Sequence, residues 1–269
     1  MAGKGRNRKT HTIEIEFSDE KVTSFGGMVL EHRLAQRLGL WRKLHERLPD
    51  RSGRYSWLDV IQSTVAGLLT GSRGTFATEE VREDAALLEL LDLDGAPEEA
   101  TLWRCLEGLG EMTRSGALGE VQADWARTIL SRLPRRDLLE CEGFFPIFAD
   151  GSLLEGSARR EGTKALRDKG QGLMWTTVFA GPLVAAQALA GEGEGEQSLV
   201  RRLLPQAMEA VIRPLGLEDK ALFLADSLHG VGPTLDVVEA QELSYVVGAG
   251  ALRETDRVLS ERSEIEWHE

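Results

Sequence analysis

The apolar residues in the first half of the chain recur every three or four positions, which is the spacing of one face of a helix. Stretches with this period lie at 29–40, 57–69, 78–92, 97–112 and 114–133. We therefore predict an all-helical region over residues 28–137. Residues 1–27 before it are predicted to be a basic tail with a short extended segment at 13–17, where apolar and acidic residues alternate.

The pattern changes after Leu138 to short apolar runs of the length of buried strands. These runs lie at 144–149, 173–180, 183–189, 220–225 and 244–249, with helical spacing at 197–214 and 234–240. Gly181 and Pro182 favour a tight turn between the second and third runs. Residues 138–269 are thus predicted to form a mixed α/β domain, in which helices flank a mixed five-stranded sheet.

Composition narrows the class of protein. A hydrophobic fraction of 42% is ordinary for a globular protein. No apolar run approaches the length that spans a bilayer, and no apolar segment follows the basic N-terminus as in a signal peptide. Two cysteines are too few for a disulfide framework. We expect a cytoplasmic protein without membrane contact, whose formal net charge of −12 confines any nucleic-acid binding to a local basic surface.

Two aspartates that close apolar runs are the strongest candidates for chemistry. Asp150 follows the run at 144–149, and Asp226 follows the run at 220–225. Aspartate followed by glycine or serine also begins ordinary turns, so either residue alone carries little weight. If the two strands are neighbours, however, the two carboxylates form a hard-oxygen site that suits Mg²⁺.

The residues around these aspartates resemble a known family. The segments Asp150–Gly156 (DGSLLEG) and Phe223–Gly230 (FLADSLHG) are similar to the first and second acidic motifs of DDE transposases from bacterial insertion sequences. Residues 100–106 (ATLWRCL) resemble the helix that precedes the catalytic domain in these enzymes. The resemblance covers roughly residues 25–260 and implies a ribonuclease-H-like catalytic domain.

The resemblance also implies an activity. Members of the family cleave DNA and transfer strands at the ends of their elements, using Mg²⁺, or Mn²⁺ in its place. Carried over to this chain, Asp150 would bridge two metal ions and Asp226 would hold one of them. The region 28–137 would bind double-stranded DNA at the terminal repeats and support a homodimer.

The family's third acid is a glutamate on a helix after the fifth strand, and it has no clear counterpart here. Glutamates 254, 261, 264, 266 and 269 follow the last predicted strand, but none lies in a convincing buried helix. The sequence therefore predicts a chain truncated before its third acid, which leaves its status as an active enzyme uncertain. Two alternatives stay open: an inactive derivative that binds DNA or partner subunits, and a stand-alone nuclease of the same fold.

Three other groups of residues are weaker candidates. Five cations follow the first strand and could line a DNA groove, although acidic neighbours dilute them: Arg159, Arg160, Lys164, Arg167 and Lys169. Cations at 4, 6, 8 and 9 could form a flexible arm on phosphate. His229 could contact phosphate, but a lone histidine is more often structural. The tryptophans at 41, 57, 103, 125 and 175 are predicted to lie in the core.

Overall fold

The computed structural model describes residues 23–114, 116–156, 164–166, 170–191, 194–227, 229–230 and 232–248. Within these residues the chain forms two compact units. The first, called the helical unit below, contains residues 23–34 and 50–106. The second, called the sheet unit, contains residues 35–49 and the described residues from 107 to 248. The helices predicted at 28–137 are therefore divided between the two units.

Helices occupy the first half of the chain. They are α1 (Met28–Leu38), α2 (Leu40–Arg47), α3 (Trp57–Leu69), α4 (Ala77–Glu83), α5 (Ala85–Leu90), α6 (Glu99–Arg114), α7 (Ala117–Leu130) and α8 (Arg135–Leu138); α9 (Glu196–Ala207) and α10 (Gly232–Ala240) follow later. No strand lies between 28 and 135 in the described part of the chain, so the prediction of a region without sheet is confirmed there.

Two of the predicted helices are interrupted. Helices α1 and α2 are separated at Gly39, whose φ of 69° is left-handed and breaks the helical path. The helix predicted at 78–92 divides at Asp84, which has extended backbone angles. The carboxylate of Asp84 accepts a hydrogen bond from the backbone N–H of Leu87 at 2.8 Å and so caps α5.

Side-chain hydrogen bonds cap one helix of the helical unit and link others. Helix α3 begins with a capping box, in which Ser56 and Asp59 each accept the other's backbone N–H. The Gln62 side-chain amide donates to the carbonyl oxygen of Leu91 at 3.1 Å and lies 3.0 Å from Nδ1 of His32. The two contacts of Gln62 satisfy polar groups that burial would otherwise leave unpaired.

Helix α3 also makes a close backbone contact with the start of α4. It occurs at Gly67, which is buried. A Cβ atom on Gly67 would overlap the carbonyl group of Ala77 and lie 2.9 Å from its Cα. Only glycine allows the two backbones to approach this closely.

The sheet unit contains six strands among its described residues. They are β1 (Phe145–Gly156), β2 (Lys164–Leu166), β3 (Gly170–Ala180), β4 (Leu183–Leu189), β5 (Ala221–Ala225) and β6 (Ser244–Val247). Strand β1 pairs antiparallel with β3 and parallel with β5, which in turn pairs parallel with β6. Strands β2 and β4 both pair with β3. The order β4-β3-β1-β5-β6 is the predicted ribonuclease-H-like mixed sheet, to which β2 is a short addition that the sequence pattern did not indicate.

The core of the sheet unit lies on one face of this sheet. Phe145 and Ile147 of β1, Val178 of β3 and Phe223 of β5 are fully buried. Helix α9 contributes fully buried residues to the same cluster, including Leu199 and Leu204. The alternation of strand side chains sends every second residue into this cluster and leaves the others on the opposite face.

None of the five tryptophans predicted to be core residues is fully buried: Trp41, Trp57 and Trp125 are partly buried, whereas Trp103 is 53% exposed and Trp175 is 36% exposed. On α6 the buried side is formed by Leu102 and Cys105, which are three positions apart, and Trp103 points away from it. By contrast, Trp125 donates its indole N–H to the Leu40 carbonyl at 2.9 Å.

No helix among the described residues is both long enough and apolar enough to cross a membrane.

Candidate functional site

Asp150 and Asp226 occupy matching positions on two neighbouring parallel strands. Phe148 of β1 is paired with Leu224 of β5, and each aspartate lies two residues beyond that pair. This register makes the two aspartates level with each other at the end of the β1–β5 ladder. Neighbouring strands lie about 4.8 Å apart, so the two residues are also close to each other. The prediction that their strands are adjacent and parallel is confirmed.

Both carboxylates lie on the side of the sheet away from the core. On β1, Ile147 and Ala149 are buried, whereas Asp150 is exposed. On β5, Phe223 is buried, and Asp226 lies three residues further on and is exposed. The period of two along β1 therefore assigns Asp150 to the exposed face, and Asp226, directly after β5, is exposed as well.

The structure corrects the expectation that Asp150 ends its strand. Strand β1 continues to Gly156, and Asp150 is paired with Thr177 in the antiparallel ladder with β3. Only the pairing with β5 ends earlier, at Phe148. Asp150 is thus held by β3 on one side, while the other side opens where β5 has ended. Asp226 does follow the last residue of its strand, Ala225.

The turn after Asp226 is held by backbone contacts with the chain that follows β6. Gly248 donates its N–H to the carbonyl oxygen of Ala225 at 3.1 Å, and His229 donates its N–H to that of Asp226 at 3.2 Å. A Cβ on Gly230 would lie 2.6 Å from the carbonyl oxygen of Gly248. Glycine at these positions lets the two segments approach closely.

A buried pair of side chains joins the two aspartate segments. Glu196, the first residue of α9, is hydrogen-bonded to His229, with 2.9 Å between its Oε1 and the Nε2 of the imidazole. The His229 side chain is 1% exposed and that of Glu196 is 13% exposed. A Cβ on Gly151 would overlap the Glu196 carboxylate. Glu196 therefore contacts β1 directly after Asp150 and, through His229, the turn after Asp226.

Sequence reasoning missed Glu196, because it stands at the end of the Gly-Glu run at 191–196 that reads as a solvated loop. The available signal was its place as an acidic residue in the first turn of a helix, where the helix dipole favours a negative charge. The structural interpretation of His229 agrees with its burial. Its second ring nitrogen, Nδ1, has no hydrogen-bond partner among the described residues.

We expect Glu196→Ala to destabilise the sheet unit by about 1–3 kcal/mol, because it leaves His229 buried without its partner. Glu196→Gln should cost less, since its amide oxygen can still accept a hydrogen bond. The measurement is the urea midpoint of unfolding. A matched control is Glu209→Ala, which removes an exposed carboxylate paired with Arg213 and should cost no more than about 1 kcal/mol. Equal losses for the two alanine variants would show that the buried pair has no structural role.

The donor chemistry at Asp150 and Asp226 suits Mg²⁺ or Mn²⁺. Mg²⁺ commonly takes one or two protein carboxylates and completes its octahedron with water and substrate phosphate oxygens. Among the described residues, no group of three His, Cys, Asp or Glu side chains is placed to hold a metal ion. A metal ion held here by described residues would therefore rest on the two carboxylates of Asp150 and Asp226.

Most of the predicted basic groove falls on residues that are not described. Arg159, Arg160, Arg167 and Lys169 lie outside the described residues, whereas Lys164 begins β2. The basic tail, the extended segment at 13–17 and the glutamates after residue 250 also lie outside them.

No protein-family model matches the chain, and no curated protein matches it either. Among solved structures, a Mos1 mariner paired-end complex with Mn is similar at 14% identity, over 81% of this chain and 68% of its own, with a TM-score of 0.30. A Mos1 transposase paired-end complex with the left transposon end has 13% identity, coverage of 81% and 75%, and a TM-score of 0.29. A pre-cleavage Mos1 transpososome has 15% identity, coverage of 77% and 64%, and a TM-score of 0.29. At TM-scores this low, the function of the chain has to be argued from its own residues.

Proposed function

We propose that this chain is a DNA transposase of the insertion-sequence type, which cleaves and joins DNA at the ends of its element with the help of a divalent metal ion. The observation that carries the proposal is the register of β1 and β5, which brings Asp150 and Asp226 level on one exposed surface. The resemblance of the two segments around these residues to transposase motifs supports the same activity.

The roles of the side chains follow from their positions. Asp150 and Asp226 would hold Mg²⁺ or Mn²⁺ through their carboxylate oxygens. A bound divalent ion supplies Lewis-acid stabilisation of the charge that develops on phosphate oxygens during phosphodiester cleavage. Asp150 is fixed by the β3 ladder, and Asp226 by the turn contacts of Gly248 and His229. These backbone contacts would help to hold the two carboxylates in the near-octahedral arrangement that Mg²⁺ requires.

The remaining parts of the proposal concern the partners. The substrate is double-stranded DNA at the terminal repeats of the element, and the N-terminal helices bind these ends and support a homodimer. The exposed position of both acids supports a polymeric substrate, because neither carboxylate is buried in a closed pocket.

A specific observation favours a second candidate. Among the described residues no group of three His, Cys, Asp or Glu side chains is placed to hold a metal ion, whereas cleavage by the transposase family that the sequence resembles uses three acids. A derivative that binds DNA without cleaving it would show this arrangement.

We expect Asp150→Asn and Asp226→Asn each to lower the affinity for Mn²⁺ by at least about tenfold, because each removes a charged ligand from a two-carboxylate site. The measurement is titration calorimetry with Mn²⁺, run beside a nicking assay on duplex DNA in the same buffer. Any metal-dependent nicking by the natural chain should disappear in both variants.

The matched control is Asp236→Asn, which neutralises an exposed carboxylate on α10 of the same unit. It should leave the Mn²⁺ affinity unchanged. Equal affinities for all four proteins would reject the metal site. Specific Mn²⁺ binding and DNA binding without nicking would favour the second candidate.

A further inference from the structure

A cavity of about 640 Å³ lies within the helical unit, away from the two aspartates in sequence. Four stretches of the chain form its walls: the segment before α3, helix α4, helix α5 through Leu88, and the segment that leads into α6 together with the start of that helix. Its charged lining residues are Arg51, Arg54, Arg82, Arg104, Asp94 and Glu98. Four arginines thus face two acids, in a chain whose formal net charge is −12.

Neutral groups orient most of these arginines. Arg51 donates to the backbone carbonyl of Tyr55, and its guanidinium lies 5.3 Å from the ring centroid of Trp57. Arg104 donates from Nε to the carbonyl oxygen of Ala100 and from Nη2 to Oγ1 of Thr101, both at 3.1 Å. These bonds hold the guanidinium groups in place without cancelling their charge.

Arg54 is placed in the same way, with its guanidinium 5.2 Å from the centroid of the Tyr55 ring. In the described part of the chain, Arg51, Arg54 and Arg104 form no ion pair with a carboxylate. Arg82 differs, because it pairs with Glu79 and thereby holds the pKa of that carboxyl below its ordinary value. Three of the four positive charges are therefore free to meet an anion.

The geometry of the lining suits phosphate. Guanidinium groups bind phosphate oxygens through two parallel N–H bonds, and a concave positive surface concentrates anions from solution. The cavity volume falls within the range of small-molecule sites, so it can admit a phosphate together with its sugar. Arg54, Arg82 and Arg104 are exposed at its rim, where they can contact a polymer that passes over the opening.

We propose that this arginine cavity is a binding site for the phosphate backbone of duplex DNA. The choice of DNA as the ligand rests on the proposed function, whereas the anion site rests on the cavity alone. It adds to the two aspartates a second DNA contact, located in the helical unit and made by residues distinct from the basic loop at 159–169.

The test compares two double variants that each remove two positive charges. Arg54→Gln with Arg104→Gln removes charge from the cavity rim. Arg42→Gln with Arg136→Gln removes charge from exposed surface elsewhere, where the side chains are 72% and 86% exposed. Binding of a labelled duplex of arbitrary sequence is followed by fluorescence anisotropy over a range of salt concentrations. The slope of log K against log salt should fall by about 2 for the cavity variant, since each lost phosphate contact releases about one counterion fewer.

A third variant guards against misfolding as the cause. Asp94→Asn removes a negative charge from the cavity wall and should strengthen DNA binding by about two- to fivefold, the size of an exposed charge interaction. A gain in affinity cannot arise from loss of structure.

The outcomes separate this inference from the proposed function. A reduced slope for the cavity variant alone, with tighter binding by Asp94→Asn, supports the DNA site even if Asp150→Asn has no effect on Mn²⁺. Equal slopes for the two double variants overturn the site while leaving the metal site intact. If the chain does not bind DNA at all at low salt, both this inference and the proposed function are overturned. If the chain bound inorganic phosphate but not DNA, and the cavity variant lost this binding, the ligand of the cavity would be a small anion. That result would overturn the proposal.

Discussion

Replacing Phe223 by alanine is expected to destabilise the sheet unit by about 3–5 kcal/mol, which is the usual loss for a buried phenylalanine. Phe223 is fully buried at the centre of β5, between the pairings with β1 and β6. The cavity left behind cannot be filled without moving these strands. The urea midpoint should fall accordingly, and Mn²⁺ affinity should weaken as well, because Asp226 directly follows β5.

The control for this prediction is Phe148→Ala. Phe148 lies on the adjacent strand β1, points to the opposite face and is 38% exposed. Its truncation should cost well under half as much, since only part of its surface leaves contact with the protein. Equal losses of stability for Phe148→Ala and Phe223→Ala would contradict the assignment of the core to the face of the sheet that Phe223 occupies.

Gly67→Ala is expected to cost about 3 kcal/mol or more, at the upper end of the range for overpacked sites. The new Cβ would overlap the carbonyl group of Ala77, which is backbone and cannot rotate away as a side chain would. Helix α3 and the start of α4 would have to separate. The loss should appear as a lower thermal midpoint of the helical unit, followed by circular dichroism.

Gly110→Ala provides the same substitution where the structure leaves space. Gly110 lies inside α6 and nothing is found within 4 Å of a Cβ built there. Alanine should stabilise that helix by about 0.5–1 kcal/mol, because it favours helix more than glycine does. A Gly67→Ala protein as stable as Gly110→Ala would contradict the close approach of the two helices.

The periodicity of the apolar residues was sufficient to predict the mixed fold, since each element carries a clear period of its own. It failed where a single residue decides the local path. Gly39 and Asp84 interrupt stretches whose apolar spacing continues across them. Strand β1 runs past Asp150 because its partner β3 is long enough to pair with it, and a pairing partner cannot be read from β1 alone.

The candidate site was predicted in part. Asp150 and Asp226 could be found because each follows an apolar run, and their strands proved to be neighbours. Glu196 was recognisable only as an acidic residue in the first turn of a helix, because its contacts with Gly151 and His229 join residues that are 45 and 33 positions apart. The arginine cavity was missed for the same reason. Arg51 and Arg104 are separated by three helices along the chain.

The pairing of β1 with β5 also bears on the order in which the chain folds. Strands β3 and β4 are joined by a tight turn at Gly181 and can pair at once, whereas Phe148 and Leu224 stand 76 positions apart. Closing so long a loop lowers the conformational entropy of the chain before the β1–β5 contacts can stabilise the sheet. We therefore expect β5 to join the sheet late. Until it does, Asp150 and Asp226 are not side by side, so the partly folded chain lacks the proposed metal site.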